Sequence, residues 1–422
     1  MSIRQLLLAA SLLVLVYPAT AQVAAGATPM SLAQALQAAR NNLDVSLARR
    51  ALAAAQSDIT SADHAPAPVL SAKAASIDLQ NGIGGGNALS QKRIDKAIGL
   101  DWTWERGNKR ALRTLTAQRV ATAAQADVDD ALILQQLATS SAYFDLLAAQ
   151  ERIEEVSAIS RSATQLATTA ARRVQAGDLA AQDAARTEIE AQRALSDQLA
   201  AQLDRQRASL ALVQLTGFNG PGALTAQPDW PIRNPTTTEL TDGSTLPLVD
   251  ARADVRAAQH RLEAAQAALD LSSAQKKADI TVGSSFDHYP GTSTRLLEVR
   301  LQMPLYGVFG GYNFQGEIAR AQAQLEQAQD SLDKIRRVAL IDLQFLQQAK
   351  QGAAARSLSY EITILPRARK LADMAELAYN KGAMSLTDLI DARRTLRATL
   401  LEELAARTEH AKAAQAWQLR LQ

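Results

Sequence analysis

The chain lacks cysteine, has few aromatic residues and carries almost no net charge. With no cysteine among 422 residues, disulfide bonds and thiolate metal sites are excluded. A formal net charge of +2 gives no basic field of the kind that binds nucleic acid. Aromatic residues make up only 4% of the chain, whereas alanine and glutamine are abundant. This composition is typical of long helices packed through small side chains, and less so of a large globular core.

Motifs for catalysis are also missing. The four histidines, His64, His260, His288 and His410, are scattered and show no H-x-x-x-H spacing. The glycine-rich stretch 81–87 lacks a following P-loop lysine and lies between predicted strands, which favours an extracellular loop. No G-x-S-x-G sequence is present. We therefore predict no active site, no cofactor and no certain metal site, and a protein that is not an enzyme.

The beginning of the chain predicts export. Arg4 precedes an apolar run over residues 6–16, and Ala19-Thr20-Ala21 forms an A-x-A site before Gln22. These features predict a signal peptide over residues 1–21, because the apolar run is shorter than the roughly 20 residues of a membrane helix. No later segment approaches a transmembrane helix in length and apolarity. Any part of the protein that lies in a membrane must therefore consist of β-strands.

The remaining sequence reads as two copies of one plan. Residues of the first copy recur about 210 positions later in the same order. The matched residues are Asp44, Val45, Ala48, Leu52 and Gln56 with Asp254, Val255, Ala258, Leu262 and Gln266, and Gly177 and Asp183 with Gly382 and Asp388. We predict a first repeat over 22–217, an inter-repeat linker rich in Pro, Thr and Gly over 218–247, and a second repeat over 248–422.

Each repeat is predicted to contain a helix, two strands, a long helix, a turn and a final helix. The predicted segments are helices 31–63, 108–176, 177–216, 248–277, 315–380 and 383–422, and strands 69–79, 94–105, 280–288 and 296–305. A helix of nearly 70 residues is about 100 Å long, which approaches the depth of the periplasm. Gly352 and Pro366 interrupt the second long helix, so we expect bends there. The helices alone would also fit a stalk or an ordinary helical bundle.

The strands favour a channel over a stalk. Ile98, Leu100, Trp102 and Trp104 alternate with polar residues, as do the apolar residues of 297–305, which is the pattern of a tilted membrane strand. Aromatic residues expected at the membrane interfaces lie at or near the strand ends: Trp102, Trp104, Phe286, Tyr289 and Tyr306. A soluble sandwich with one buried face is the alternative. Four strands build neither a sandwich nor a closed barrel, which needs at least about eight strands. Several copies must pool their strands, and three copies would supply twelve.

Two strand-to-helix junctions carry a family resemblance. The segment from Trp104 to Arg110 reads W-E-R-G-N-K-R, and is similar to an E-L-G-G-K-R element except at Arg106 and Asn108. Met303-Pro304-Leu305-Tyr306 followed by N-F-Q-G-E-I at 313–318 is similar to a P-L…N-x-Q-G-E-I element. On these motifs the chain resembles the TolC-like outer-membrane efflux proteins over the whole mature sequence, and their CzcC-like heavy-metal branch in particular.

The resemblance implies a mostly α-helical fold with a small membrane β part. It implies a homotrimer in the bacterial outer membrane, with a shared twelve-stranded β-barrel in lipid and an α-helical tunnel that extends into the periplasm. Its partners would be a periplasmic adaptor protein and an inner-membrane RND-type pump, and its cargo divalent heavy-metal cations. The adaptor or pump would contact the hairpin tips at Gly177, Asp178, Gly382, Ala383 and Met384.

The resemblance also implies a periplasmic gate. Asp388 and Asp391 match aspartates that line the constricted entrance, and three residues apart on a helix they share a face. Threefold symmetry would make each a ring that attracts cations. The alternative is a solvated helix face, neutralised by nearby arginines: Arg393, Arg394 and Arg397.

A closing hydrogen bond is implied between Asp183 and Tyr379. The arginine that the family carries at the tip is replaced by Met384, and Arg186 stands where the second repeat has Asp391. The closing network must therefore differ from that of the family. A packed aromatic residue is the alternative reading of Tyr379.

Rival functions remain open from the sequence. Within the channel class the cargo could be drugs or a secreted polypeptide. A periplasmic adaptor would need one hairpin flanked by compact β domains, whereas this chain has duplicated hairpins and amphipathic strands. A soluble coiled-coil scaffold would leave the alternating strands and the signal peptide without a use.

Overall fold

The structure is a computed structural model that describes residues 28–77, 80, 85, 94–220, 222–232, 242–289, 293–307 and 311–421. The predicted signal peptide and most of the predicted loop 81–87 lie outside these residues. The helices are α1 (Leu32–Ala39), α2 (Leu43–Ala62), α3 (Lys109–Gln175), α4 (Ala181–Thr216), α5 (Asp242–Ala251), α6 (Ala253–Ala274), α7 (Gln315–Ser359), α8 (Leu365–Asn380) and α9 (Leu386–Arg420). The strands are β1 (Thr28–Met30), β2 (Val69–Ala75), β3 (Asp95–Trp104), β4 (Leu224–Ala226), β5 (Ile280–Tyr289) and β6 (Ser293–Gln302).

Ser31 caps the first helix, as the sequence predicts. Its hydroxyl accepts a hydrogen bond from the Gln34 amide at 3.2 Å, and the Gln34 side chain accepts one from the Ser31 amide at 2.9 Å. The single helix predicted over 31–63 is instead two helices, because residues 40–42 form a turn between α1 and α2. Asn42 caps α2 and donates a side-chain hydrogen bond to the Leu215 carbonyl at 2.8 Å. This contact with a residue 173 positions away could not be read from local sequence.

Long uninterrupted helices dominate the chain. Helix α3 has 67 residues without glycine or proline, and its bounds agree with the prediction to within one residue. It begins immediately after Asn108, and α7 begins after Phe314, each with φ of 59°. The two strand-to-helix junctions thus share a left-handed residue at the same place, which turns the chain sharply from strand to helix.

The second long helix contains a change in helix type. It continues through Gly352 as regular α-helix, since glycine keeps the amide that the hydrogen-bond ladder needs. From Tyr360 to Ile364 it widens into a π-helical turn, and α8 follows with Pro366 in its first turn. The interruption expected at Pro366 is therefore present as a π segment, whereas the helix is unbroken at Gly352.

Four strands form one antiparallel sheet in the order β2-β3-β5-β6. The register places Leu100 of β3 beside Leu70 and Ser284, and Val299 beside Ser284. One face therefore carries an exposed apolar surface: Leu70, Ile98, Leu100, Trp102, Trp104, Val282, Phe286, Leu297, Val299 and Leu301. Strands β1 and β4 form a separate parallel pair.

The opposite face of the sheet is polar. Asp101, Gly283 and Arg300 lie side by side on three neighbouring strands, and the Arg300 guanidinium donates to Asp101 Oδ1 at 2.6 Å across the glycine. A Cβ atom at Gly283 would lie 2.1 Å from that oxygen. Gly283 is therefore needed for the cross-strand ion pair. The alternation predicted for the strands is confirmed.

The buried core is divided into separate clusters along the length of the helices. One contains Tyr143, Phe144 and Leu147 of α3 with Leu212 of α4, and a second lies where α7 meets α6 and α9. The Tyr143 hydroxyl donates to the Gln227 carbonyl at 2.8 Å, and burial raises its pKa to about 12. That bond attaches the segment after β4 to the helices.

None of the helices in the described ranges combines the length and the apolar composition that a membrane-spanning helix needs.

An ion pair between a buried lysine and a partly exposed aspartate joins the first strand-to-helix junction to the sheet. Lys109 is only 4% exposed, and its Nζ lies 2.8 Å from Asp279 Oδ1. The same oxygen accepts the Arg106 backbone amide at 2.9 Å. Asp279 lies just before β5, the strand next to β3. It therefore holds the sharp turn between β3 and α3 in place.

We expect Asp279→Ala to destabilise the protein by about 3 kcal/mol, because it leaves the Lys109 cation buried without its partner. Thermal unfolding of the purified protein in detergent, followed by circular dichroism, measures the effect. Asp63→Ala is the matched control, since it removes the exposed ion pair with Arg110 near the same junction and should change stability little. Equal midpoints for the two variants would contradict the structural role of Asp279.

Candidate functional site

Two helical hairpins end in turns of the same geometry. Gly177 follows α3 with φ of 82°, and Gly382 follows α8 with φ of 74°. At the first tip the Asp178 amide donates to the Arg173 carbonyl at 2.8 Å, and at the second the Ala383 amide donates to the Ala378 carbonyl at 2.9 Å. Both are glycine-closed helix ends of the Schellman type. A Cβ at either glycine would meet nothing within 4 Å. Glycine is therefore favoured by the left-handed backbone conformation and not by a steric limit on the side chain.

The tip residues predicted as contact points differ in exposure. Gly177, Asp178, Gly382 and Ala383 are exposed, whereas Met384 is half-buried. Met384 packs against an apolar cluster that joins the two hairpins. The cluster contains Ala375, Leu386, Leu389, Ile390 and Ala392, with Leu166, Leu179, Tyr379 and Met384 against it. Where the family carries an arginine, this chain thus has an apolar contact between its tips.

The predicted gate aspartates lie on the outer face of α9. Both Asp388 and Asp391 are exposed, while Leu389 and Ile390 between them are buried. Ser385 caps the helix by accepting the Asp388 amide at 3.2 Å, and its hydroxyl donates to the Asp388 carboxylate at 2.7 Å. The two carboxylates therefore lie on one exposed face of α9, and the three-residue spacing predicts such a shared face.

Of the three arginines proposed to neutralise this face, one contacts it. Arg394 lies 3.4 Å from Asp391, whereas Arg393 pairs with Glu376 at 3.3 Å and Arg397 pairs with Asp197. Within the described part of the chain, no cationic side chain lies in ion-pair distance of Asp388. Asp388 thus keeps its negative charge unpaired.

Arg394 joins the two hairpins. It donates two hydrogen bonds to Glu190 of α4, from Nε at 3.3 Å and from Nη2. These bonds hold the pKa of the Glu190 carboxyl below its ordinary value and raise the pKa of Arg394. The Arg394 charge is therefore shared between Glu190 and Asp391, one of the two predicted gate residues.

Tyr379 has a different partner from the one that the resemblance implies. Arg173 Nη1 donates to the Tyr379 hydroxyl at 3.0 Å, and the guanidinium carbon lies 5.8 Å from the ring centre. In the residues described, Asp183 forms no hydrogen bond with Tyr379. Asp183 lies half-buried in the first turn of α4. In the residues described, the Tyr379 hydroxyl therefore contacts Arg173 and not Asp183.

Sequence reasoning missed Arg173 and the role of Arg186. Arg186 Nη1 donates to the Thr387 hydroxyl at 2.9 Å, and so it also connects α4 to α9. A usable signal was the arginine pair at 172 and 173 just before the first tip. One of these long side chains, that of Arg173, reaches Tyr379 of the other hairpin.

The predicted interface aromatics fall in two places. Trp102 and Trp104 lie on the apolar face near the helical end of the sheet, and Phe286 lies on that face near the far end, close to Tyr289 at the end of β5. Tyr306 instead packs edge-on against Phe314 at 4.9 Å between ring centres, at the second junction.

A cavity of about 300 Å³ separates the hairpins above the apolar cluster. It is bordered by helices α3, α4, α8 and α9, and small residues such as Ala163, Ala194 and Ala372 line it. The hairpins are thus in contact at their tips and loosely packed immediately above. In the described ranges no group of three or more histidine, aspartate or glutamate side chains is placed to hold a metal ion.

Comparison with known proteins identifies similar chains. No model of a known protein family matches. The cobalt-zinc-cadmium resistance protein CzcC of Cupriavidus metallidurans is 26% identical over 300 residues, which cover 69% of this chain and 68% of CzcC. CusC, studied for its transmembrane channel formation, superposes with a TM-score of 0.77 at 16% identity over 92% of this chain and 91% of its own.

The outer membrane protein VceC of Vibrio cholerae superposes with a TM-score of 0.74 at 17% identity, over 92% of this chain and 95% of its own. The chain therefore has the fold of these outer-membrane channel proteins. The resemblance to TolC-like proteins, and to CzcC in particular, is confirmed.

The Glu190–Arg394 pair predicts a pH-dependent contact between the hairpins. Because the folded state lowers the Glu190 pKa, the pair stabilises the protein fully above the ordinary value of 4.5. Its contribution, at most about 1 kcal/mol for a half-exposed arginine, declines as the pH falls below 4.5 and is lost below the lowered pKa.

We expect Glu190→Gln to lower the thermal midpoint at pH 7, and the difference from the unaltered protein to be smaller at pH 3. Unfolding curves at both pH values measure this. Glu188→Gln, an exposed neighbour on the same helix, should show no pH-dependent difference. A constant difference between Glu190→Gln and the unaltered protein at both pH values would contradict the assignment.

Proposed function

We propose that this chain is the outer-membrane channel subunit of a tripartite efflux system and passes divalent heavy-metal cations to the exterior. The cations would be delivered by an inner-membrane RND-type pump through a periplasmic adaptor, and the subunit itself performs no catalysis. The observation that carries the proposal is a two-faced sheet with open edges that continues into two long helical hairpins. The similarity to CzcC, a cobalt-zinc-cadmium resistance protein, supports divalent heavy-metal cations as the proposed cargo.

The sheet supports assembly from several copies. Strands β2 and β6 are its edges, and each therefore has unpaired backbone groups on its outer side. Along the order β2-β3-β5-β6 every neighbouring pair is antiparallel, so β6 of one copy also meets β2 of the next in antiparallel orientation. Three copies give twelve strands, enough to close a barrel. The apolar face then contacts lipid, with Trp102 and Phe286 near its two borders.

Exposed apolar residues on the helices support the same ring. Helix α4 has leucines exposed at helical spacing, Leu195, Leu199, Leu203 and Leu210, and α7 and α8 expose Val338, Ile341, Phe345, Leu371, Met374 and Leu377. Within one chain α3 and α9 lie between these two sets. A head-to-tail ring would bury one set against the other in the next copy.

The gate follows from this ring. Threefold symmetry would turn Asp388 and Asp391 into two stacked rings of carboxylates at the narrow end of the tunnel. Carboxylate oxygens suit divalent cations, and clustered negative charge raises the local cation concentration. The apolar cluster and the Arg173–Tyr379 bond would hold the second tip against the first when the entrance is closed, while Asp183 remains free for a neighbouring copy.

The two repeats would give the tunnel its pseudo-symmetry. The described elements support a duplication over 22–217 and 248–422, because strands, a long helix, a glycine tip and a final helix follow in the same order in each. The tips at Gly177, Asp178, Gly382, Ala383 and Met384 would meet the adaptor or the pump. A channel for drugs or a secreted polypeptide is the second candidate, since the pump and not the channel selects cargo.

Deletion of the gene in its native host is the first test. We expect sensitivity to cobalt, nickel, zinc or cadmium, with accumulation of that metal in the cell and restoration by the unaltered gene. Growth across these metals and a panel of drugs measures it. Sensitivity to drugs with unchanged metal tolerance would support the second candidate, and unchanged growth under all conditions would contradict both.

The aspartate rings predict cation selectivity. In planar bilayers at low salt, Asp388→Asn with Asp391→Asn should reduce the preference for cations over anions by roughly tenfold. The difference should shrink at 1 M salt, where charges are screened within about 3 Å. Glu188→Gln, which removes an exposed carboxylate of α4 near the other tip, is the control. Equal selectivity of the aspartate variant and the control would exclude the proposed gate role.

A further inference from the structure

We propose that the π-helical segment Tyr360–Ile364 is a hinge that lets the second hairpin tip move while the helices above it stay fixed. The inference rests on the proposed channel function, which requires an entrance that opens. The gate residues alone do not explain why one of the long helices is interrupted. Only one of the two long helical segments is interrupted, and the interruption lies on the hairpin that carries the gate aspartates.

Pro366 explains why the helix widens at this place. Proline has no amide hydrogen to donate to the carbonyl four residues earlier, and in a regular α-helix its ring would press against that carbonyl, here Ile362. The wider turn relieves the conflict. The Leu365 amide donates to the Tyr360 carbonyl, five residues back. Such single π turns contain one additional residue and occur frequently at functional sites.

The segment is weakly packed compared with its flanks. None of its five residues is buried, and Ile362 is 64% exposed. Ser357 before it and Leu365 after it are both buried. Local motion is cheapest where few apolar contacts must break, so bending concentrates in this turn.

Helix α7 above the segment is anchored. Leu332, Ala339 and Leu343 belong to a buried cluster with Trp417 of α9. Asp342 lies 2.8 Å from Arg252, whose side chain is only 5% exposed and also pairs with Asp254 of α6. Moving α7 would require breaking a buried ion pair as well as separating apolar residues.

Helix α8 below the segment has fewer attachments. It packs along α9, and the cavity of about 300 Å³ lies between this hairpin and the first one. Near the tip it is joined to the first hairpin through the apolar cluster and the Arg173–Tyr379 bond. Helix α9 of the same hairpin is also tied to α4 by three contacts, Arg186–Thr387, Arg394–Glu190 and Arg397–Asp197. Once these contacts and those at the tip separate, the hairpin can shift towards or away from the cavity.

A hydrogen bond joins the first residue of the segment to the neighbouring helix α9. The Tyr360 hydroxyl donates to Glu402 Oε2 of α9 at 3.2 Å. Glu402 is exposed, so water can replace this bond when the turn changes shape. The bond sets the resting position of the hinge without locking it.

The decisive variant makes the helix regular. Deletion of Thr363 removes the additional residue of the π turn, and Pro366→Ala removes its cause. Because only the additional residue is lost, the same sides of α7 and α8 still face α9. Gly352→Ala is the matched control. It stiffens the same helix eleven residues before Thr363, at a position where a Cβ meets nothing within 4 Å.

Two measurements follow the hinge. Ala383→Cys introduces the single cysteine of the chain, and a nitroxide label there reports distances between second tips of the assembled protein. Planar bilayers report the fraction of time in the high-conductance state. We expect the regular-helix variant to reduce the population of separated tips, and the high-conductance fraction, by roughly fivefold. That is the effect of having to break one backbone hydrogen bond in order to bend. Gly352→Ala should match the unaltered protein.

The outcomes separate this inference from the proposed function. Protein that never conducts would overturn the channel proposal, and the tip distances would still decide on the hinge. Equal distances in the regular-helix variant and the unaltered protein would overturn the hinge while leaving the channel intact. If the deletion prevents assembly, Tyr360→Phe provides the second test. It should increase tip separation by removing the bond to Glu402, and an unchanged distribution would reject the proposal.

Discussion

Close contact between helices through alanine is the interaction on which this structure depends. Much of the buried apolar surface consists of alanine, for example Ala121, Ala126, Ala142 and Ala170 along α3. Small side chains let helix axes approach closely over many turns, but each contributes little apolar area. A rod about 100 Å long cannot surround a single core. Stability is therefore distributed over separate apolar clusters, with ion pairs such as Arg261–Asp127 and Lys412–Asp145 between them.

This distribution lets different parts of one helix behave differently. Near its midpoint, α3 packs into a buried cluster through Tyr143 and Phe144. The Phe144 ring stacks on Trp230. Arg407 lies 4.4 Å above the same Trp230 ring and pairs with Glu151. Nearer the tips a cavity of about 300 Å³ opens between the hairpins, and beyond it the apolar cluster around Leu389 joins them. A fixed upper part and a loosely held lower part therefore coexist on the same continuous helices, which a single globular core would not permit.

The sequence was most informative where one physical constraint acts alone. The absence of glycine and proline from 109 to 175 predicts α3, and alternation predicts the two faces of β3, because both patterns follow from the backbone period. Gly177 and Gly382 mark the tips, since the left-handed turn there favours glycine. Pro366 predicted an interruption, and the structure shows it as a π turn just before the proline.

Prediction from sequence failed where the local structure is determined by contacts between residues that are far apart in the chain. At the break between α1 and α2, Asn42 contacts Leu215, and the Tyr379 hydroxyl contacts Arg173 of the opposite hairpin. Neither distance is encoded in a local pattern. The exposed sites Asp388 and Asp391 were located correctly on one helix face, because that needs only helical spacing. Their proposed role in a pore would be a property of an assembled ring.

The open edges of the sheet have a consequence for how the protein is made. A newly exported single chain would display unpaired β2 and β6 backbones and an apolar face with Leu297 and Val299 largely uncovered. Such a surface promotes aggregation in water. Completion of the sheet would therefore coincide with association of the copies, and a holding chaperone would have to protect the strands until then. Expression level and chaperone supply would limit the yield of functional protein more than the stability of the helices does.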